Sequence, residues 1–165
     1  MHLNSPTPVL IFAIGNESRG DDALAPLLAR KLHNYLNKNN ISENIEILEE
    51  FQLQIEHAMD MKDRQRVLFI DAGMDTPSPF SFYRAQASDE PVLYSHALKP
   101  SALLKVYEQF YNEAAPDSYI LCIRGEQFKL GAALSLQAEV NLSRSLQFAL
   151  SLLPDEEVWD SYASA

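Results

Sequence analysis

Three runs of apolar residues predict the inner strands of a parallel sheet. They cover residues 8–14, 66–73 and 118–125, and a glycine follows or ends each run, at Gly15, Gly73 and Gly125. Near-continuous apolar strands are typical of sheets that are covered on both faces. The sequence therefore predicts a sheet buried between two outer layers.

Amphipathic segments between these runs predict the helices. Residues 21–37 place leucines at helical spacing, begin with two acids and carry basic residues late, which suits the helix dipole. Residues 99–114 and 135–153 have the same periodicity. Residues 52–61 are compatible with a shorter helix.

Two segments of alternating polarity predict further strands, at residues 45–51 and 76–85. The second is expected at an edge of the sheet, because "PSP" blocks its extension backwards. The order of the elements predicts a single-domain, three-layer α/β sandwich. Its mostly parallel, twisted sheet has about five strands, with helices on both faces. The domain covers residues 1–165, and an acidic tail from about residue 154 is expected to fray.

The net charge and the number of cysteines restrict the possible binding partners and the cellular compartment of the protein. A formal net charge of −10 and a pI near 4.7 disfavour nucleic acid and anionic membranes as partners. Cys122 is the only cysteine in the sequence, so an intramolecular disulfide and a thiolate metal cluster are both excluded. We expect its thiol to be a small core group. The N-terminal apolar run is too short for a membrane span, and we expect a cytoplasmic protein.

The loop "GNESRGDD" after the first strand begins like a phosphate-binding loop. Gly15 and Gly20 have the P-loop spacing, but Asp21 and Asp22 stand where such a loop has Lys and then Ser or Thr. Two carboxylates argue against a phosphate site. The sequence also lacks the motifs of serine hydrolases, zincins and dinucleotide-binding proteins, so neither a nucleotide nor a flavin cofactor is expected.

Candidate metal donors fall on connections at one edge of the predicted sheet. Asp22 opens the first helix, Asp71 ends the strand "FIDAG", and His96 lies in "LYSHALKP" before a helix. Such connections can converge at one rim of the sheet, and this donor set suits a divalent transition metal. Glu49 ends the second strand as a further carboxylate. Taken singly, the acids are also explained as caps or solvated edge residues.

These residues resemble the nickel–iron hydrogenase maturation endopeptidases. The resemblance rests on "AIGNESRGDDALAP", on "FIDAG" and on "SHAL", which occur in the family's order and at similar separations. The segment "EEFQLQIEHAMDM" departs from the family's glycine-rich second-strand ending. It is similar to the branch that serves soluble, NAD-reducing or bidirectional hydrogenases.

The resemblance implies a peptidase with a metal-bearing substrate. Family members remove a short C-terminal extension from the hydrogenase large-subunit precursor once nickel has been inserted. Positions that contact nickel in the family match Asp22, Asp71 and His96, and Glu49 aligns with a second-strand aspartate. The implied partner is the nickel-loaded precursor, whose nickel is used for recognition. The catalytic residue is unassigned, and its candidates are Asp22, Asp71 and His96.

Two mechanisms and two other classes of protein remain open at this point. The nickel either positions the scissile peptide, or the metal or a carboxylate activates water. A nonenzymatic nickel carrier or chaperone could use the same donors, although the chain has no histidine-rich tract. In an inactive scaffold every acid would be a cap.

Overall fold

The computed structural model describes residues 5–89 and 98–164. The strands within these residues are β1 (Val9–Ile14), β2 (Ile45–Glu50), β3 (Arg66–Gly73), β4 (Phe80–Arg84) and β5 (Asp117–Arg124). The helices are α1 (Leu24–Lys38), α2 (His57–Asp60), α3 (Pro100–Tyr111), α4 (Leu136–Leu152) and α5 (Trp159–Tyr162). Short 3-10 turns cover Gly20–Ala23, Ser42–Asn44 and Glu156–Val158.

The five strands form one sheet in the order β2-β1-β3-β5-β4. The first four of these strands run parallel, and β4 pairs antiparallel with β5 at the edge. This confirms the mostly parallel sheet of about five strands and the edge position of the fourth. The chain moves outward from β1 to β2 and then returns past β1 to β3, so the strand order switches between β1 and β3. Ligands of such sheets gather beyond the carboxyl ends of the strands at this switch.

Helices cover both faces of the sheet, each over its own apolar core. On one face, Val9 and Ile11 of β1 share a buried cluster with residues of α1, α4 and α5. On the other, Leu10 and Phe12 share a cluster with residues of α2 and α3. Both faces of β1 are therefore covered, which explains its unbroken apolar run. In the described part of the chain, no helix combines the length and apolarity that a membrane crossing requires.

Helix ends differ from the sequence pattern for local reasons. The segment predicted to open the first helix forms the Gly20–Ala23 3-10 turn, and α1 begins at Leu24. The next long helix, α3, stops at Tyr111 because Asn112 adopts a left-handed conformation with φ 54°. Only His57–Asp60 of the predicted 52–61 segment is helical.

The prediction that the C-terminal tail frays is wrong. Trp159 is fully buried, and its indole Nε1 donates a hydrogen bond to the Leu152 carbonyl oxygen at 2.9 Å. The Asp160 carboxylate accepts a hydrogen bond from the Tyr119 hydroxyl at 2.5 Å. The tail is acidic, but burial of one large aromatic side chain outweighs the cost of ordering a short segment.

Candidate functional site

Asp22 and Asp71 line one cleft at the carboxyl edge of the sheet. The cleft has a volume of about 430 Å³ and lies at the switch between β1 and β3. Its other lining residues are Arg19, Ala72, Gly73, Met74, Asp75 and Phe128. The structure thus brings together two of the three predicted metal donors.

The loop after β1 is shaped by close backbone contacts that require glycine. A Cβ atom on Gly15 would lie 2.1 Å from the Asp22 carbonyl oxygen, and one on Gly20 would lie 2.3 Å from the Gln127 carbonyl oxygen. Gly20 also has φ +55°, which favours glycine. The Asn16 N–H donates to Asp22 Oδ2 at 2.8 Å, which fixes the carboxylate at the cleft.

Asp21 has a structural role that its neighbour does not share. Its buried carboxylate accepts hydrogen bonds from the N–H groups of Glu126 (2.6 Å), Gln127 (2.9 Å) and Ser135 (2.7 Å), and from the Ser135 hydroxyl (2.7 Å). Burial acts to raise the pKa of Asp21, but these hydrogen bonds outweigh it and hold the pKa below its ordinary value. Asp21 therefore anchors the loop between β5 and α4, and Asp22 is left to face the cleft.

Asp71 is an unusually basic carboxylate. Burial raises its pKa, the Ala72 N–H hydrogen bond at 2.8 Å lowers it, and the nearby charge of Asp22 raises it further, to about 7 in all. Asp71 therefore changes its protonation state near neutral pH.

The other two predicted donors do not join this pair in the described residues. His96 lies outside the residues that the structure describes. Glu49 lines a separate cleft of about 330 Å³, on the other side of the Gly15–Ser18 loop, and accepts a hydrogen bond from Arg30 at 3.1 Å. Across residues 5–89 and 98–164, no group of three or more His, Cys, Asp or Glu side chains is arranged to hold a metal ion.

Cys122 is not the buried core residue that the sequence predicts. It is partly exposed and lines a third cleft of about 310 Å³ with Ser81, Tyr83 and other residues. The register explains this, because Cys122 pairs with Asp71 beyond the apolar part of β3. Burial raises its pKa to about 11, assisted by the charge of Asp71 and opposed by a hydrogen bond with Thr76. The thiol is therefore protonated at neutral pH and is a poor nucleophile.

Similarity to known proteins is found in the three-dimensional structure and not in the sequence. No protein-family model matches the chain, and no curated protein matches its sequence significantly. HycI, a NiFe hydrogenase maturation protease from Thermococcus kodakarensis KOD1, superposes with a TM-score of 0.67 at 20% identity, over 90% of this chain and 94% of that one. The hydrogenase maturating endopeptidase HybD from E. coli gives a TM-score of 0.67 at 18% identity, over 90% and 93%. This chain has the fold of the hydrogenase maturation proteases.

The hydrogenase maturation protease fold agrees with the fold expected from the resemblance. A hydrogenase 3 maturation protease also matches, with a TM-score of 0.62 at 15% identity over 87% of this chain and 90% of that one. The branch that serves soluble hydrogenases stays a prediction.

The two adjacent acids are expected to differ strongly in their effect on stability. Asp21→Ala leaves several buried donors without an acceptor, which lowers the free energy of unfolding by about 3 kcal/mol or more. Asp22→Ala removes one acceptor from the Asn16 N–H and costs about 1 kcal/mol. Urea unfolding followed by circular dichroism measures both values. Equal losses would contradict the structural role of Asp21.

The pKa of Asp71 predicts a pH-dependent stability between about pH 4 and pH 7. Folding raises this pKa from 3.8 to about 7, so the wild type loses stability relative to Asp71→Asn as the carboxyl group ionises. The difference in the free energy of unfolding between the wild type and Asp71→Asn is at most about 4 kcal/mol. It is fully present above pH 7 and absent below pH 4. Urea unfolding at several pH values, with carboxyl carbon NMR titration, measures it.

Asp22→Asn provides the control for this titration. Removing the charge of Asp22 lowers the pKa of Asp71, so the range of pH over which stability changes becomes narrower. An Asp71 carboxyl that titrates near pH 4 in the wild type would contradict the described burial.

Proposed function

We propose that this protein is an endopeptidase that removes the C-terminal extension of a nickel–iron hydrogenase large-subunit precursor after nickel insertion. The observation that carries the proposal is the convergence of Asp22 and Asp71 in one cleft at the strand-order switch. The fold shared with hydrogenase maturation proteases supports the same reaction class. A fold alone supports many chemistries, so the argument rests on the site.

The nickel of the precursor is the metal that this cleft recognises, as part of the substrate. Carboxylate oxygens and an imidazole are suitable donors for Ni²⁺. Asp22 and Asp71 supply two carboxylates, and the charge of Asp22 raises the pKa of Asp71. His96, four residues before α3, supplies the third donor in this proposal. Glu49 is not needed, because its carboxylate pairs with Arg30 in the neighbouring cleft. With only three ligands from this protein, the nickel keeps open coordination positions for groups of the precursor.

Recognition of the metal places the scissile peptide beside an ionisable carboxyl group. Holding both reactants in one orientation removes much of the entropic barrier to hydrolysis. The nickel therefore either positions the scissile peptide for attack, or the metal or a carboxylate of the cleft activates the attacking water.

Two further parts of the proposal concern the cellular compartment of the protein and the class of hydrogenase that it serves. We place the protein in the cytoplasm, where a single unpaired thiol is stable. The segment "EEFQLQIEHAMDM" supports a soluble hydrogenase as the source of the precursor.

Mass spectrometry of the precursor tests the proposal. Purified large-subunit precursor, with and without nickel, is incubated with the wild-type protein. We expect loss of a C-terminal peptide from the nickel-loaded form only. Asp22→Asn is expected to lower the cleavage rate at least about 100-fold, since it removes a charged ligand. Far-UV circular dichroism should remain unchanged.

Asp63→Asn is the matched control. It removes one carboxylate from an exposed position with φ 66°, a conformation that Asn tolerates well, so cleavage should continue at the wild-type rate. Cleavage of the nickel-free precursor at an equal rate would contradict metal recognition. Tight nickel binding by the isolated protein without cleavage of any precursor would favour the nickel carrier.

A further inference from the structure

The cleft that holds Asp22 and Asp71 also contains a basic side chain. Its lining carries three carboxylates, and Arg19 is the one cation among the lining residues that the structure describes. Arg19 belongs to the same "SRGDD" segment as Asp22. The carboxylates of the cleft can attract positive charge on a substrate, and the arginine can attract negative charge.

Local contacts fix the base of Arg19. Its N–H donates to the Asn16 carbonyl oxygen at 3.1 Å, and its own carbonyl oxygen accepts from the Asp22 N–H at 3.0 Å. The guanidinium Nε donates to the Phe128 carbonyl oxygen at 3.4 Å. The Arg19 side chain is exposed, and among the described residues its terminal Nη groups have no hydrogen-bond partner.

Arg19 differs in this respect from most arginines of the chain. Five others pair with a carboxylate: Arg30, Arg64, Arg66, Arg84 and Arg124. Within residues 5–89 and 98–164, Arg19 forms no ion pair although three acids line its cleft. Its charge is therefore available to a group that enters the cleft.

We propose that Arg19 is a catalytic residue that stabilises the oxyanion formed during cleavage. This inference rests on the proposed peptidase function. Hydrolysis of an amide passes through a tetrahedral intermediate whose oxygen is negative, and the acids of the cleft would destabilise that charge. Donors placed where charge develops are among the largest contributors to catalysis. The Nη groups of Arg19 are such donors, on the lining of the same cleft as the two carboxylates.

The hydrolysis step balances with groups already in the cleft. As the water oxygen bonds to the carbonyl carbon, a carboxylate takes one water proton, and the carbonyl π electrons move to the oxygen that Arg19 contacts. When this intermediate collapses, the C–N bond breaks and the proton passes to the leaving nitrogen. One water is consumed, and the products are a carboxylic acid and an amine, which become a carboxylate and an ammonium group at neutral pH.

Steady-state cleavage of nickel-loaded precursor by Arg19→Gln tests the proposal. An interaction made mainly in the transition state changes kcat with little effect on KM. We expect kcat to fall about 100-fold or more, with KM and the affinity for the precursor within about threefold of wild type. Arg144→Gln is the matched control, because Arg144 is exposed on α4 and outside the cleft.

The outcomes separate this inference from the proposed function. An active wild type with a full kcat in Arg19→Gln would overturn the role of Arg19 alone. An increase in KM or loss of precursor binding, with kcat retained, would also overturn it, because Arg19 would then bind a ground-state carboxylate. A wild type that cleaves no nickel-loaded precursor would overturn both proposals.

Discussion

The hydrogen bonds of the buried Asp21 carboxylate are the interaction on which the candidate site depends. This one side chain connects the loop after β1 to the loop between β5 and α4, more than one hundred residues later in the chain. The Asp21 N–H adds a hydrogen bond to the Gln127 carbonyl oxygen at 2.7 Å. Because Asp21 faces inward, the next residue of the tight turn faces the cleft, and the position of Asp22 follows.

The parts of the fold that depend on local pattern could be predicted from the sequence. Buried strands such as β1 are apolar on both faces, and α1 repeats its leucines every three or four residues, so periodicity identifies both. The position of Asp22 and Asp71 in one cleft could also be predicted, because the carboxyl ends of neighbouring parallel strands meet at one edge of the sheet.

Features that depend on distant partners were not predictable in the same way. The donors to Asp21 come from residues far along the chain, and the pattern "GDD" gives no sign of them. The exposure of Cys122 follows from its register with Asp71, and the order of the tail follows from the pocket that buries Trp159. Arg19 had a sequence signal, because it lies in the loop motif itself, but its availability is a property of the folded cleft.

Charge in this cleft is divided between groups with different environments. Asp71 is half-buried with a pKa of about 7, Asp22 adds a second carboxylate, and Arg19 carries the opposite charge on the lining of the same cleft. A metal ion carried by the substrate would draw both carboxylates toward it. The arginine would then meet the negative charge that develops on the substrate.

Nickel K-edge X-ray absorption of the precursor, alone and in complex with this protein, tests the central claim most directly. The account predicts that complex formation adds oxygen or nitrogen ligands to the nickel, and that Asp22→Ala reduces this change. A nickel spectrum that is identical in the free and bound precursor would contradict metal recognition by Asp22 and Asp71.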